Sequence, residues 1–266
     1  MKSKTIYLLA LLLCIVTACK KDTSSPPPQP EPVKKYLTKV LAVGNDGSSF
    51  EVESCTWDSL HRLKTYHAGS PHFDAEFYYD SIGRISQMDY CAYISVPRCL
   101  YFVFDWKNEK ELNGIDIHVH DILFDTTYYN QIRDNYFYDE SGRNIKIKRD
   151  YANGHTAIYE IEWDGLNITS AKGASRIFIN HEEFDDKHSP WSTFPDIFIV
   201  GLIADMNSIM LYNPSKNNPI QGESFFYSGT NLTFEYDYDK DGYPLFQYYI
   251  WEDGSKTLWY KFEYYE

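Results

Sequence analysis

The sequence predicts an all-β protein, an antiparallel meander of repeated hairpins that curls into an open or closed barrel. Aromatic residues make up 17% of the chain, and their rings favour the pleated, half-buried surface of a sheet. Apolar and polar residues alternate in segments such as 75–79, 144–151 and 232–239, which is the period of a strand. A short turn pattern recurs between such segments, so neighbouring strands are expected to pair as hairpins.

The first element of the chain is a lipoprotein signal peptide over residues 1–18. Lys2 and Lys4 precede an apolar core from Ile6 to Val16, which is too short to span a bilayer as a stable helix. The residues Val-Thr-Ala-Cys at its end resemble the lipobox of bacterial lipoproteins. This resemblance implies that Cys19 is the lipid attachment site; an ordinary signal peptide with an incidental cysteine is the alternative.

A proline-rich tether follows over residues 19–35. Five prolines between Pro26 and Pro32 favour an extended polyproline II chain that buries no core. A ligand for another protein is the alternative interpretation of this run. Residues 36–266 then form a single β-repeat domain, a length that one large all-β domain can have.

The charge of the chain bears on its partners. The formal net charge is −13, and a chain this acidic is repelled by phosphate backbones and by anionic lipid headgroups. We therefore expect no nucleic acid partner. Membrane contact is expected through the lipid on Cys19, at the bacterial outer membrane or cell surface.

Three cysteines lie in the domain: Cys55, Cys91 and Cys99. Thiols oxidise readily outside the inner membrane, and a Cys91–Cys99 disulfide would close a short loop around Pro97. A Cys55–Cys91 disulfide is the competing pairing, because both residues lie on neighbouring predicted strands. Buried, reduced thiols are the third possibility.

A repeated turn is the strongest signal in the domain. Each copy has an aromatic residue, an aspartate, two or three polar residues and a glycine at the fourth position after the aromatic. The copies begin at Tyr79, Tyr138 and Tyr238, and at Trp57 with His61 in the glycine position. An aspartate after a strand accepts hydrogen bonds from the turn backbone, and glycine supplies the positive φ that closes a hairpin.

The repeated turn also carries a resemblance to a known family. The Tyr-Asp-x-x-Gly-Arg turns, the stretches 213–219 and 236–244, and the Cys-Lys-Lys-Asp start resemble Bacteroidota lipoproteins with a domain of unknown function described as porin-like in fold. The same turns also occur in the YD-repeat shells of secreted toxins and teneurins. This chain differs from a regular YD array because the spacing between its turns varies and because His61 and Asn108 stand in place of glycines. The resemblance implies a YD-like repeat and no catalytic residue.

One segment breaks the strand pattern. Phe198, Leu202 and Met206 recur at helical spacing after Pro195, which predicts a short buried helix near 196–211. Another pair of buried strands is the alternative, because short apolar runs are ambiguous by periodicity alone.

Two places in the sequence have the residue types of a cation site. Asp116, His118 and His120 share one strand face, and two histidines with a carboxylate can bind zinc or a similar ion; a solvated strand face is the alternative. Asp237 opens a second pattern that resembles a calcium loop, but Tyr248 stands where such a loop has its bidentate glutamate. We expect no bound cofactor.

Exposed turns carry candidate modification sites. Ser59, Ser81 and Thr126 each follow an aspartate and precede an apolar residue or a threonine, similar to the sites O-glycosylated on exported proteins of the same bacterial phylum. The alternative is that turns simply favour the Asp-Ser pair.

The sequence contains no nucleophile elbow, phosphate-binding loop or H-E-x-x-H pattern, so no enzyme is predicted. We expect an envelope-anchored binding or structural module for a glycan or an envelope protein. Its candidate stacking residues are the aromatics Tyr78, Tyr101, Trp106, Trp251 and Trp259. The alternative is a glycan-degrading hydrolase of the cell envelope that uses a carboxylate pair such as Glu160 and Glu162.

Overall fold

The computed structural model describes residues 33–69, 72–92, 98–121, 126–173, 176–194, 215–223 and 231–266. Sixteen β-strands lie in these ranges, all within the compact unit Lys34–Glu266. In chain order they are β1 (Tyr36–Val43), β2 (Ser49–Trp57), β3 (Leu63–Gly69), β4 (His72–Tyr79), β5 (Ile85–Ala92), β6 (Arg98–Trp106), β7 (Leu112–Asp121), β8 (Thr126–Tyr138), β9 (Asn144–Asp150), β10 (Thr156–Asp164), β11 (Asn167–Gly173), β12 (Arg176–Phe184), β13 (Pro219–Glu223), β14 (Asn231–Tyr238), β15 (Pro244–Ile250) and β16 (Lys256–Tyr265).

The strands form a closed antiparallel barrel. Each strand pairs with its neighbours in sequence, and β1 pairs with β16 to close the ring. The all-β prediction and the curling of the meander are thereby confirmed, with the barrel closed. No helix occurs in the described ranges, and the helix predicted near 196–211 lies outside them. Within those ranges no helix is long and apolar enough to cross a membrane.

Apolar side chains fill the interior of the barrel. Strands alternate buried and exposed residues, as a sheet with one covered face must. The most deeply buried apolar residues include Leu37, Leu63, Tyr66, Met88, Phe102 and Ile147. They belong to one continuous hydrophobic cluster that most strands share.

Charged side chains cover the outer face. Ion pairs on this face include Lys39–Glu51, Arg133 with Asp105 and Asp116, Lys148–Asp150, Lys172–Glu162, Lys256–Glu235 and Lys261–Glu263. A barrel that spans a membrane instead needs a continuous apolar band on its outside and polar residues within. The distribution of charge here is the reverse of that pattern.

The two ends of the barrel use different turns. At the end where β1 starts and β16 finishes, here called the proximal end, the aromatic–aspartate turns join the strands. At the opposite, distal end, turns 44–48, 151–155 and 251–255 each have glycine in a left-handed conformation, with φ between 79° and 81°. Each of these glycines follows Asp or Asn. The repeated turn pattern did not predict these distal turns, because they lack the aromatic–aspartate pair.

Candidate binding site

The proximal turns are held by their aspartates. The Asp58 carboxylate accepts hydrogen bonds from the backbone N–H of Leu60 and of Arg62, both at 2.9 Å, and from Arg62 Nε at 2.7 Å. Turns 80–84 and 139–143 repeat this arrangement. His61 takes the position of the glycine with a φ of 57°. The hydrogen bonds predicted between the aspartate and the turn backbone are therefore present. An arginine side chain also binds the same aspartate.

The aromatic residue of each turn ties one hairpin to the preceding one. Trp57 Nε1 donates to the Leu37 carbonyl at 2.8 Å, and Trp106 Nε1 donates to the Ile85 carbonyl at 2.7 Å. Tyr79, Trp163 and Tyr264 donate in the same way to carbonyls of Leu63, Asn144 and Pro244. These hydrogen bonds fix the positions of the rings between neighbouring strands.

The proximal end contains a cavity of about 540 Å³, here called the proximal cavity. Its lining includes Trp57, Leu63, Tyr79, Ile85 and Trp106, together with Arg62, Arg84, Lys110, Glu109 and Thr193. Arg62 lies over the Tyr79 ring at 4.3 Å, and Arg84 lies over the Trp106 ring at 5.3 Å. The cavity therefore combines apolar walls with cationic groups held by the turns.

The distal end carries a cluster of aromatic rings, here called the distal aromatic cluster: Phe234, Tyr249, Trp251, Trp259 and Tyr260. Trp259 stacks on Phe234 with ring centroids 5.8 Å apart and on Tyr260 at 5.2 Å. Tyr249 contacts Trp251 at 4.6 Å in an edge-to-face arrangement. Because these five rings meet on one side of the sheet, they form a continuous aromatic surface.

A β-bulge places Trp259 in this cluster. The pairing of β15 with β16 shifts between Gln247 and Tyr248, so that Trp259 has no partner on β15 and its ring stacks on that of Tyr260. Trp259 remains 38% exposed and Trp251 50% exposed. Two of the large aromatics singled out from the sequence therefore meet in one exposed cluster.

The other exposed aromatics predicted as stacking residues do not join this cluster. Tyr78 lies on the outer face of β4, where desolvation and hydrogen bonding to Glu76 raise its pKa to about 12. Tyr101 lies on β6, with its ring 6.4 Å from that of His120. Within the described ranges neither ring contacts a second large aromatic, so each is an isolated outward-facing ring.

The predicted metal residues occupy the outer face of β7. The Asp116 carboxylate accepts two hydrogen bonds from Arg133 Nη1 at 2.8 Å. His118 and His120 stand on the same strand, opposite Tyr101 and Cys99 respectively. Within the described ranges no group of three or more His, Cys, Asp or Glu side chains could hold a metal ion.

A lysine stands where the calcium-like pattern would hold a cation. Lys35 Nζ lies 2.7 Å from Asp239 and 2.9 Å from Asp241. Hydrogen bonds from Lys35 and from the turn backbone hold the pKa of Asp239 below its usual range, against the effect of burial. These carboxylates therefore fix the start of the domain to the turn between β14 and β15.

Cys91 and Cys99 face each other on β5 and β6 and form a disulfide. The bond joins β5 to β6 at the distal end of the barrel. Cys55 is a free, buried thiol on β2, and desolvation raises its pKa. Of the pairings considered from the sequence, this structure contains Cys91–Cys99.

The remaining predicted residues lie at exposed positions or outside the described ranges. Ser59 and Ser81 are exposed in proximal turns. Thr126 starts β8. Glu162 on the outer face of β10 pairs with Lys172 at 2.9 Å, and Glu160 is exposed two residues before it. Cys19 is not among the described residues.

Comparisons with known proteins give a small set of similar structures. No family model and no curated protein matches the chain. A porin-like protein from Bacteroides uniformis has a TM-score of 0.45 and 11% identity over 86% of this chain and 96% of its own. A porin-like protein from Bacteroides vulgatus has a TM-score of 0.42 and 12% identity over 87% and 99%. The Photorhabdus luminescens Tc holotoxin pore has a TM-score of 0.19 and 15% identity over 77% and 9%.

Proposed function

We propose that this chain is a lipid-anchored, non-enzymatic module of the bacterial envelope that binds a glycan at the distal aromatic cluster. The observation that carries the proposal is the exposed, contiguous set of rings around Trp251 and Trp259. Apolar side chains fill most of the barrel interior between this cluster and the proximal cavity. At the distal end the exposed rings are the surface open to a ligand.

The chemistry of the cluster suits a sugar. Aromatic faces pack against the apolar C–H face of a pyranose ring, while the edges of the site supply hydrogen bonds. Asn231 at the start of β14 and Glu252 in the turn after β15 are exposed at this end of the barrel. Their amide and carboxylate groups can bind hydroxyls of a sugar that stacks on Trp251.

The position of the cluster suits an anchored protein. Lys35, the residue before β1, is bound by Asp239 and Asp241 at the proximal end. A tether that arrives from Cys19 would join the domain there, so the distal aromatic cluster lies at the end opposite the attachment point. Because the outer face is charged, the lipid supplies the membrane contact.

A glycan array with the full-length protein tests the proposal. We expect saturable binding, and mass spectrometry should find the bound glycan intact. Trp251→Ala with Trp259→Ala should weaken binding by tenfold or more, whereas Tyr78→Ala, an exposed ring on the outer face, should leave it unchanged. Circular dichroism and thermal unfolding establish that both variants fold.

Three results would contradict the proposal. Cleavage of the glycan would favour the hydrolase alternative. Equal binding by the double variant would place the glycan elsewhere on the barrel. An array without any bound glycan would favour an envelope protein as the partner.

A further inference from the structure

We infer that the proximal cavity is a second binding site, which takes a small amphipathic carboxylate: an anionic head on an apolar body of one or a few rings. The cavity lies at the opposite end of the barrel from the distal aromatic cluster. Its volume of about 540 Å³ falls within the range of small-molecule sites in proteins. The inference is therefore independent of glycan binding.

The first reason is an unused guanidinium donor. In two equivalent turns the arginine Nη1 donates to a carbonyl of the next turn, from Arg84 to Asn108 at 3.1 Å and from Arg143 to Gly165 at 3.2 Å. Arg62 binds Asp58 through Nε and Nη2. Its Nη1 has no hydrogen-bond partner in the described part of the chain, and Arg62 lines the cavity.

The second reason is the presence of two further polar groups without partners at the cavity wall. The Thr193 hydroxyl is buried and makes no hydrogen bond within the described ranges. Lys110 lines the cavity and forms no ion pair within those ranges. A buried hydroxyl without a partner is unfavourable, so a ligand that satisfies it gains affinity.

The third reason is the balance of charge and apolar surface. Among the described residues of the lining, Arg62, Arg84 and Lys110 are cationic and Glu109 alone is acidic. The chain as a whole has a formal charge of −13, whereas cations outnumber acids in this lining. Asp58 and Asp80, which bind Arg62 and Arg84, are not part of the lining. Trp57, Leu63 and Ile85 supply apolar walls beside the cations, which suits a carboxylate on an apolar body.

The arrangement predicts how such a ligand is held. Its carboxylate accepts hydrogen bonds from Arg62 Nη1 and from the Lys110 ammonium, which are charge-assisted and hence among the stronger hydrogen bonds. Its apolar body lies against the rings of Trp57 and Trp106. Those rings are fixed by hydrogen bonds to Leu37 and Ile85, so the wall is formed before a ligand arrives.

Isothermal titration calorimetry on the full-length protein tests the inference with 2-naphthoate as the probe and the neutral 2-naphthamide as its matched control. We expect one 2-naphthoate per chain, and an affinity for the amide lower by tenfold or more. Arg62→Gln should weaken 2-naphthoate binding by at least the same factor. Arg133→Gln, which removes a guanidinium from the outer face of β8, should not change it.

Lys110→Gln covers the case in which Arg62→Gln does not fold, because Lys110 is exposed and its side chain holds no turn together. This variant should also bind 2-naphthoate less tightly and 2-naphthamide as before. Equal affinity for the two compounds, equal losses in Arg62→Gln and Arg133→Gln, or no saturable binding of 2-naphthoate would overturn the inference. None of these results bears on glycan binding at the distal end.

Discussion

Arg149 and Asp134 form a bidentate ion pair inside the barrel. Arg149 Nε lies 2.6 Å from Asp134 Oδ1, and Nη2 lies 2.6 Å from Oδ2. Both side chains are almost completely buried, at 2% and 0% exposure. Burial by itself lowers the pKa of Arg149, but the charge of Asp134 raises it by more, so the arginine stays protonated. The pair therefore holds β8 to β9 through two charge-assisted hydrogen bonds.

Breaking this pair should be costly. Arg149→Met leaves the Asp134 carboxylate buried without its partner, and we expect a loss of about 3–5 kcal/mol in the free energy of unfolding. Asp134→Leu combined with Arg149→Met should recover most of that loss, because both charges are removed. Urea denaturation measures the free energy of unfolding of the single and the double variant. A single variant as stable as the wild type would show that the pair contributes little.

Stability should fall in mild acid because of His181. Desolvation lowers the pKa of His181 from 6.5 to about 4, so the unfolded chain binds a proton at a higher pH than the folded barrel does. The free energy of unfolding is therefore expected to drop by about 1–3 kcal/mol between pH 6.5 and pH 4. His181→Gln should flatten this part of the profile, as measured by urea denaturation at a series of pH values.

The disulfide should contribute modestly because its loop is short. Cys91 and Cys99 are eight residues apart, and closing such a loop stabilises a fold by about 2 kcal/mol. Replacing both with serine should lower the free energy of unfolding by about that amount without changing glycan binding.

In the native protein an alkylating agent should label Cys55 only after unfolding, because the thiol is buried. Rapid labelling at neutral pH would contradict this prediction.

Trp106 should matter for stability and not for ligand stacking at the distal end. Trp106→Phe keeps the ring but removes the donor to the Ile85 carbonyl, and we expect a loss of about 1–2 kcal/mol. Trp251 Nε1 binds the hydroxyl of Thr257 near the surface, so Trp251→Phe should cost less. Thermal unfolding compares the stability of Trp106→Phe with that of Trp251→Phe. Loss of glycan binding in Trp106→Phe with unchanged stability would reverse these roles.

The sequence was sufficient to predict the strands and the proximal turns because both depend on local patterns. Period-two alternation marks a strand wherever it pairs, and the Asp58 and Asp80 turns close through residues four positions apart. Cys91 and Cys99 also flank one hairpin connection, but the sequence left the Cys55–Cys91 pairing and reduced thiols open as alternatives.

The interior pair and the two sites could not be predicted in this way. Asp134 and Arg149 look like other polar residues of their strands, and their burial depends on the register of β8 against β9. The distal aromatic cluster requires a bulge that the sequence does not mark. The proximal cavity requires several turns to meet around one end, and that follows only from closure of the ring.

Closure also sets an order of events during synthesis. Tyr36 begins β1 and pairs with Tyr265 near the chain's end, so the first strand to emerge waits for the last one. Until β16 is made, the growing sheet has two unpaired edges, each a template for pairing with other chains. Contacts between such distant segments form slowly. A newly made chain therefore depends on shielding of those edges until the ten residues of β16 are in place.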